Sequence, residues 1–166
     1  MVGGFHQLGL LYADPHPGNF AFRDGQVVVY DFGCIRRFEP HLTHAFSKMA
    51  WALRAGRLDA LLSGARAFGF GIDGAEREAL FERFARSFFA SVLREGPSVI
   101  AADGAVEAAQ MIRDKRALAK LRLPPHLLFL LRLRFGLYAV LSALGARADW
   151  GALENAYAQS AAAHAG

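Results

Sequence analysis

The sequence predicts a mainly α-helical domain with one small β-hairpin near its N-terminal end. Three observations carry this. Apolar residues recur at helical spacing through most of the chain beyond Leu42. Phe20-Ala21-Phe22 and Val27-Val28-Val29-Tyr30 flank an Asp24-Gly25 pair, the composition of a hairpin and its tight turn. Finally, 54% of the 166 residues are hydrophobic and 20% charged, which supplies a packed core and is too apolar for a disordered chain. Residues 1–166 read as a single domain: there is no internal repeat and no linker long enough to divide it.

Taken in order, the hairpin comes first. A helix follows, with Leu42, Phe46, Met49 and Leu53 on one face and Pro40 near its start, where a missing N–H costs nothing. A second helix covers Leu58 to Phe68. A third carries Phe81, Phe84, Phe88 and Val92 on one stripe, and a weaker one runs from about Ala105 to Leu121 with Met111, Ile112 and Leu118. Pro124-Pro125 break the chain and start an almost continuous apolar run, Leu127 to Leu144. That run approaches the lower length for a membrane span. Arg132 and Arg134 lie close to its middle, and each would cost about 2.5–3.5 kcal/mol there, so a buried helix with Leu131 and Phe135 in the core is the better reading. Contact along a membrane surface is its alternative. Trp150 to Ala163 forms a last, alanine-rich helix with a frayed end.

The net charge of +4 permits anionic partners such as a nucleotide. The basic residues are scattered and form no run, which argues against nucleic acid. A single cysteine, Cys34, can form no internal disulfide and reads as a small, buried apolar group in a reducing compartment. No basic stretch followed by an apolar one opens the chain, so no signal peptide is expected. A cytoplasmic location follows, with peripheral membrane contact as the variant.

The chemistry concentrates in Tyr12-Ala13-Asp14-Pro15-His16-Pro17-Gly18-Asn19 and in Asp31-Phe32-Gly33. Asp and Asn beside Pro and Gly are ordinary turn formers, so Asp14 and Asn19 alone would mean little. Followed by a hairpin and a D-F-G, they match the layout of kinase-type phosphoryl transfer. There one Asp accepts the proton of the attacking hydroxyl, and the Asn and the second Asp hold Mg²⁺ against the nucleotide phosphates. Asp14 is then the catalytic base. Asn19, Asp31 and Gly33 form the cofactor-binding set for ATP and Mg²⁺, with Asn19 and Asp31 as metal ligands. His16 stands two residues after Asp14, where many protein kinases carry a lysine that approaches the transferred phosphate; otherwise it orders the proline-flanked turn. Phe32 is expected to pack into the core.

The stretch resembles the UbiB/AarF family of atypical protein-kinase-like proteins, whose catalytic loop reads close to H-A-D-P-H-P-G-N. Leu123-Pro124-Pro125, Leu130-Leu131-Arg132 and Leu144 to Trp150 look like that family's C-terminal helices. The resemblance implies a kinase-like C-lobe with ATP hydrolysis or phosphoryl transfer at Asp14, Asn19 and Asp31. It also implies support of ubiquinone and other isoprenoid-lipid metabolism, often beside membranes. Tyr12 replaces the family's usual histidine. The family's lysine lobe, alanine-rich nucleotide loop and N-terminal extension have no counterpart, which points to a missing N-lobe or a partner chain and to a lobe that is incomplete alone.

Gly69, Gly71 and Gly74 spell G-x-G-x-x-G, but no strand precedes them and they follow the catalytic loop, so helix ends and turns explain them. Arg36 and Arg37 read as a solvated surface. Helical periodicity resumes by Leu42 and there is no Ala-Pro-Glu, leaving no room for a peptide-docking activation segment. A small acceptor is favoured over a protein. The rival readings are a fragment of an aminoglycoside- or choline-type phosphotransferase, and a non-catalytic fragment or one half of a split protein.

Overall fold

Val2–Leu8 forms a first helix, α1, which ends at Gly9 and hands over to a three-residue strand, β1 (Leu10–Tyr12). The computed structural model describes residues 2–100 and 120–164, so the helix expected from Ala105 lies outside the described residues except at its C-terminal edge. Beyond β1 the chain makes one turn of 3₁₀ helix at Pro17–Asn19, then β2 (Phe20–Arg23), β3 (Gln26–Val29) and β4 (Ile35–Arg37). Among the described residues the remaining regular structure is helical apart from one further short strand pair and an isolated bridge between Gly71 and Arg122. α2 spans Pro40–Arg54, α3 Leu58–Phe68, α4 Ala75–Phe88 and α5 Ala90–Leu93; β5 is Ser98–Val99, α6 Leu127–Ala143, β6 Arg147–Ala148 and α7 Trp150–His164. The fold is mainly α with small antiparallel hairpins, as the sequence predicts.

The hairpin forms where expected. β2 and β3 pair antiparallel with Phe20 opposite Val29 and Arg23 opposite Gln26. Asp24 and Gly25 both have positive φ, 51° and 73°, the signature of a type I′ turn, whose twist matches that of the strands. The hairpin is largely exposed: Phe22, Val27, Val28 and Tyr30 all face solvent. Gly25→Ala should therefore act locally. It is expected to cost the turn about 1 kcal/mol and to speed amide exchange across β2 and β3 while leaving the global urea midpoint unchanged.

A second pairing surrounds the first. β1 and β4 run antiparallel with Leu10 opposite Arg37 and Tyr12 opposite Ile35. The Ala13 N–H donates to the Cys34 carbonyl at 2.8 Å and the Phe38 N–H to the Gly9 carbonyl at 2.7 Å. This ladder draws the two ends of the motif-bearing segment together. Leu11 and Ala13 are fully buried beneath it.

The core is one contiguous cluster dominated by phenylalanine. Phe46 and Met49 from α2, Leu61 and Phe68 from α3, and Phe81, Phe84 and Phe88 from α4 meet there, so the centres of the stripes read from the sequence are buried; Leu42 is only half-buried, and Val92, read on the stripe of Phe88, lies beyond the end of α4 on the short α5, half-buried. Phe68 lies at its centre, fully buried, with rings of Phe46, Phe70 and His126 at 5.9, 5.8 and 4.5 Å. Pro40 occupies the first turn of α2, and Glu76 and Glu78 the first turn of α4, where they complement the helix dipole.

The long apolar helix, α6, buries a different stripe from the one expected. Leu127, Leu130, Leu133 and Val140 are its buried residues, whereas Leu131 and Phe135 are only half-buried. A helix apolar on nearly every side gives the eye no face to choose. No helix among the described residues is long and apolar enough to cross a membrane. The glycines of the G-x-G-x-x-G match sit at helix boundaries: Gly69 caps the C-terminus of α3 and Gly74 precedes the first turn of α4.

Candidate active site

The site grows from Tyr12, the last residue of β1. Its ring is buried, with Phe20 and Phe32 edge-on at 6.2 and 6.5 Å. Its hydroxyl accepts a hydrogen bond from Asn19 Nδ2 at 3.0 Å, and the same amide nitrogen donates to the Asp14 carbonyl at 3.1 Å. A carbonyl can only accept, so this contact fixes the NH₂ end of Asn19 and turns Oδ1 the other way. Burial and the negative fields of Asp31 and Asp14 raise the Tyr12 hydroxyl above its ordinary pKa, against the opposing bond from Asn19. Tyr12 thus feels both aspartates and touches the asparagine between them.

The hairpin links the segments that carry Asn19 and Asp31. The Tyr30 N–H donates to the Asn19 carbonyl at 3.0 Å, and Asp31 is the next residue in the chain. Asp31 Oδ1 accepts from the Gly33 N–H at 2.7 Å. A Cβ on Gly33 would lie 3.0 Å from that oxygen, so glycine suits the tight turn. Asp31 is exposed and Asp14 half-exposed, and both carboxylates remain open to solvent.

His16 is engaged in the turn itself. Its Nδ1 accepts from the Gly18 N–H at 3.1 Å and caps the 3₁₀ turn that delivers Asn19. Pro15 is buried under α6: a Cβ on Gly136 would stand 2.7 Å from Pro15 Cγ and 2.9 Å from its carbonyl oxygen. The close approach of loop and helix needs the absent side chain. One turn earlier on α6, Arg132 Nη2 donates to Asp14 Oδ1 at 2.9 Å, across 118 positions of sequence. Sequence reasoning read Arg132 as a cost to a membrane span and as part of the resemblance carried by Leu130-Leu131-Arg132, and no local pattern announces its contact with Asp14.

Phe32 does not pack into the core; it is 62% exposed. The space beneath the segment is already filled by Leu11, Ala13 and Phe38, and the D-F-G neighbour that turns inward is Cys34, half-buried against the core. Arg36 is exposed, as expected of a solvated surface, and also lies over the Phe129 ring of α6 at 4.4 Å. Between Gly33 and the start of α2 lie only residues 34–39, and β4 occupies three of them.

The donor chemistry can be tested against Mg²⁺. Among the described residues no group of three or more His, Cys, Asp or Glu is placed to hold a metal. Asn19 Oδ1 and the free oxygen of Asp31 are hard oxygen donors, and Mg²⁺ is commonly held by one or two carboxylates, waters and substrate phosphates in place of a full protein cage. The set fits that mode and no tighter one.

Loop, hairpin and D-F-G stand here in the order that the base-and-metal segment of a kinase-type site would have. Residues 4–60, which contain all of it, match the family model described as the ABC1 atypical kinase-like domain. The chain is similar to that family over those residues. No curated protein matches the chain.

Proposed function

We propose that the chain is a member of the ABC1 atypical kinase-like family and supplies the base-and-metal half of a phosphoryl-transfer or ATP-hydrolysing site. The observation that supports this is the Asn19 amide bonded to both the Tyr12 hydroxyl and the Asp14 carbonyl, with the Tyr30 N–H on the Asn19 carbonyl just ahead of Asp31. Asp14 Oδ2, the oxygen not taken by Arg132, would receive the proton of the acceptor hydroxyl or water. As the deprotonated acceptor oxygen, from the hydroxyl or water, bonds to the γ-phosphorus, the bond from γ-phosphorus to the bridging oxygen would break and ADP leave with the electron pair. Asn19 Oδ1 and Asp31 would hold Mg²⁺, which when bound neutralises charge on the phosphates. His16 shapes the loop through Gly18, and Gly33 lets the Asp31 turn close.

The short span from Gly33 to α2 favours a small acceptor or water over a docked peptide. On the likeness to UbiB/AarF proteins, the role proposed for this activity is in isoprenoid-lipid metabolism, ubiquinone included, in the cytoplasm or at a membrane surface. The phosphate-covering half of the site would come from a second stretch of polypeptide, in this protein or in a partner.

Titration of the ¹⁵N-labelled chain with Mg²⁺-ATP tests the reading. The amides of Asn19, Asp31 and Gly33 are expected to shift together with a Kd near or above ~1 mM, since one lobe grips only part of the nucleotide. Asp31→Asn should weaken that response about tenfold. Turnover by the chain alone is expected to stay at background; adding an N-lobe from an ABC1 relative should raise it, and Asp31→Asn should remove the gain. Nucleotide that leaves all three amides unmoved would refute the assignment, and low-micromolar affinity would refute the incomplete-lobe part of it.

A further inference from the structure

We infer that Arg132 is the phosphate-facing cation of this site, bridging the Asp14 carboxylate and the terminal phosphate of the nucleotide; the inference rests on the phosphoryl-transfer reading above. Four observations support it.

The first is placement. Arg132 Nη2 is 2.9 Å from Asp14 Oδ1, and the pair is about half-exposed, so both groups face the space where a transferred phosphate would sit beside the base. The second is spare capacity. A guanidinium has five N–H donors. Among the described residues Arg132 bonds only to Asp14, which leaves donors on the solvent side for a second anion. An exposed ion pair contributes little to stability, so stability alone gives small reason to hold an arginine at this spot.

The third is the charge balance. Asp14 and Asp31 already place two negative charges around Tyr12, and a nucleotide tail adds more. A cation is needed for the anion to enter. Among the described residues the lysines are engaged elsewhere, Lys48 with Ser63 and Lys120 with Glu76. His16, the alternative phosphate-facing group, has Nδ1 taken by the Gly18 N–H and offers a single donor at Nε2, against the several of a guanidinium.

The fourth is rigidity. Gly136, one turn along α6 from Arg132, is seated on Pro15, and Phe129, three residues before it, lies under Arg36 of β4. One face of α6 therefore registers Arg132 against both ends of the site. A planar guanidinium held this way suits phosphate oxygens better than a mobile ammonium would.

The test compares Mg²⁺-ATP with Mg²⁺-ADP, which differ by the terminal phosphate, and uses tripolyphosphate as a probe without a nucleoside. In the wild type, ATP should bind more tightly than ADP, and tripolyphosphate should shift the Arg132 Nε–H resonance. Arg132→Gln should lose about tenfold in ATP affinity with ADP affinity nearly unchanged, and Arg132→Lys should keep part of the preference. An unchanged ATP-to-ADP ratio in Arg132→Gln, with its amide spectrum showing the native fold, would overturn the inference. So would an Arg132 resonance that neither ATP nor tripolyphosphate moves. If tripolyphosphate moves Arg132 while nucleotide leaves Asn19 and Asp31 untouched, the phosphate contact stands and the kinase-type reading falls.

Discussion

Replacing Phe68 by alanine is expected to cost about 3–5 kcal/mol of stability, the upper range for a large-to-small change in a core. The side chain is fully buried at the last turn of α3. It touches aromatic neighbours from three directions, with Phe46 on α2, Phe70 just beyond α3 and His126 at the entrance to α6. These come from separate elements, so the cavity cannot close by sliding one helix. His126 also bonds to the Phe68 carbonyl at 2.9 Å, and that contact depends on the ring staying where Phe68 now holds it. Urea unfolding should show a lower midpoint with an unchanged slope, and the melting temperature should fall by on the order of 10 °C. Phe68→Leu leaves a smaller cavity and should lose less than Phe68→Ala. A cost below about 1 kcal/mol for Phe68→Ala would mean that the aromatic cluster is not the centre of the core.

Gly136→Val should strike the site and the fold together. A single Cβ at this position would come within 3.1 Å of three Pro15 atoms, one of them the backbone carbonyl, which cannot rotate away. Valine adds two more carbons, so either α6 or the Asp14-Pro15 loop must move. Overpacking of this kind costs about 1–3 kcal/mol. The larger consequence is displacement of Asp14 from Arg132, seen as shifted amides at Asp14, His16 and Asn19 and a reduced response to Mg²⁺-ATP. Gly136→Ala gives a sharper sign test. At an open helical position that change would stabilise by about 1 kcal/mol through propensity. Here the crowding by Pro15 should cancel or reverse the gain. A clear stabilisation would show that the loop does not sit on the helix.

What was legible in the sequence was local. Asp24-Gly25 between β-branched and aromatic runs gave the hairpin because the turn and its strands are adjacent in the chain. The phenylalanine stripe gave α4, and the bounds read for α3, Leu58 to Phe68, are those observed, because a helix states its buried face every three or four residues. The order of the candidate site residues was legible for the same reason. What escaped was non-local or without period. α1 is seven residues with two glycines, too short to show a face. β1 and β4 have three residues each, and β4 reads Ile-Arg-Arg, a pattern no strand template selects; their pairing is fixed only when the chain has already folded back. The exposure of Phe32 depends on what else fills the core, and the stripe of α6 could not be chosen by periodicity in a helix so evenly apolar. Arg132 meeting Asp14 is a fact of tertiary structure with no local cause.

The dependence of the loop on α6 also sets an order of events during synthesis. Hairpin, turn and D-F-G leave the ribosome before α6, and their own hydrogen bonds do not need it. The seat for Pro15 and the partner for Asp14 lie on a helix that begins at Leu127. Contacts of such long separation form late and slowly. A nascent chain would therefore carry the motif before its Asp14 loop had the helix that fixes it. The assembled site is in this sense a checkpoint: it reports that α6 has been made and has docked.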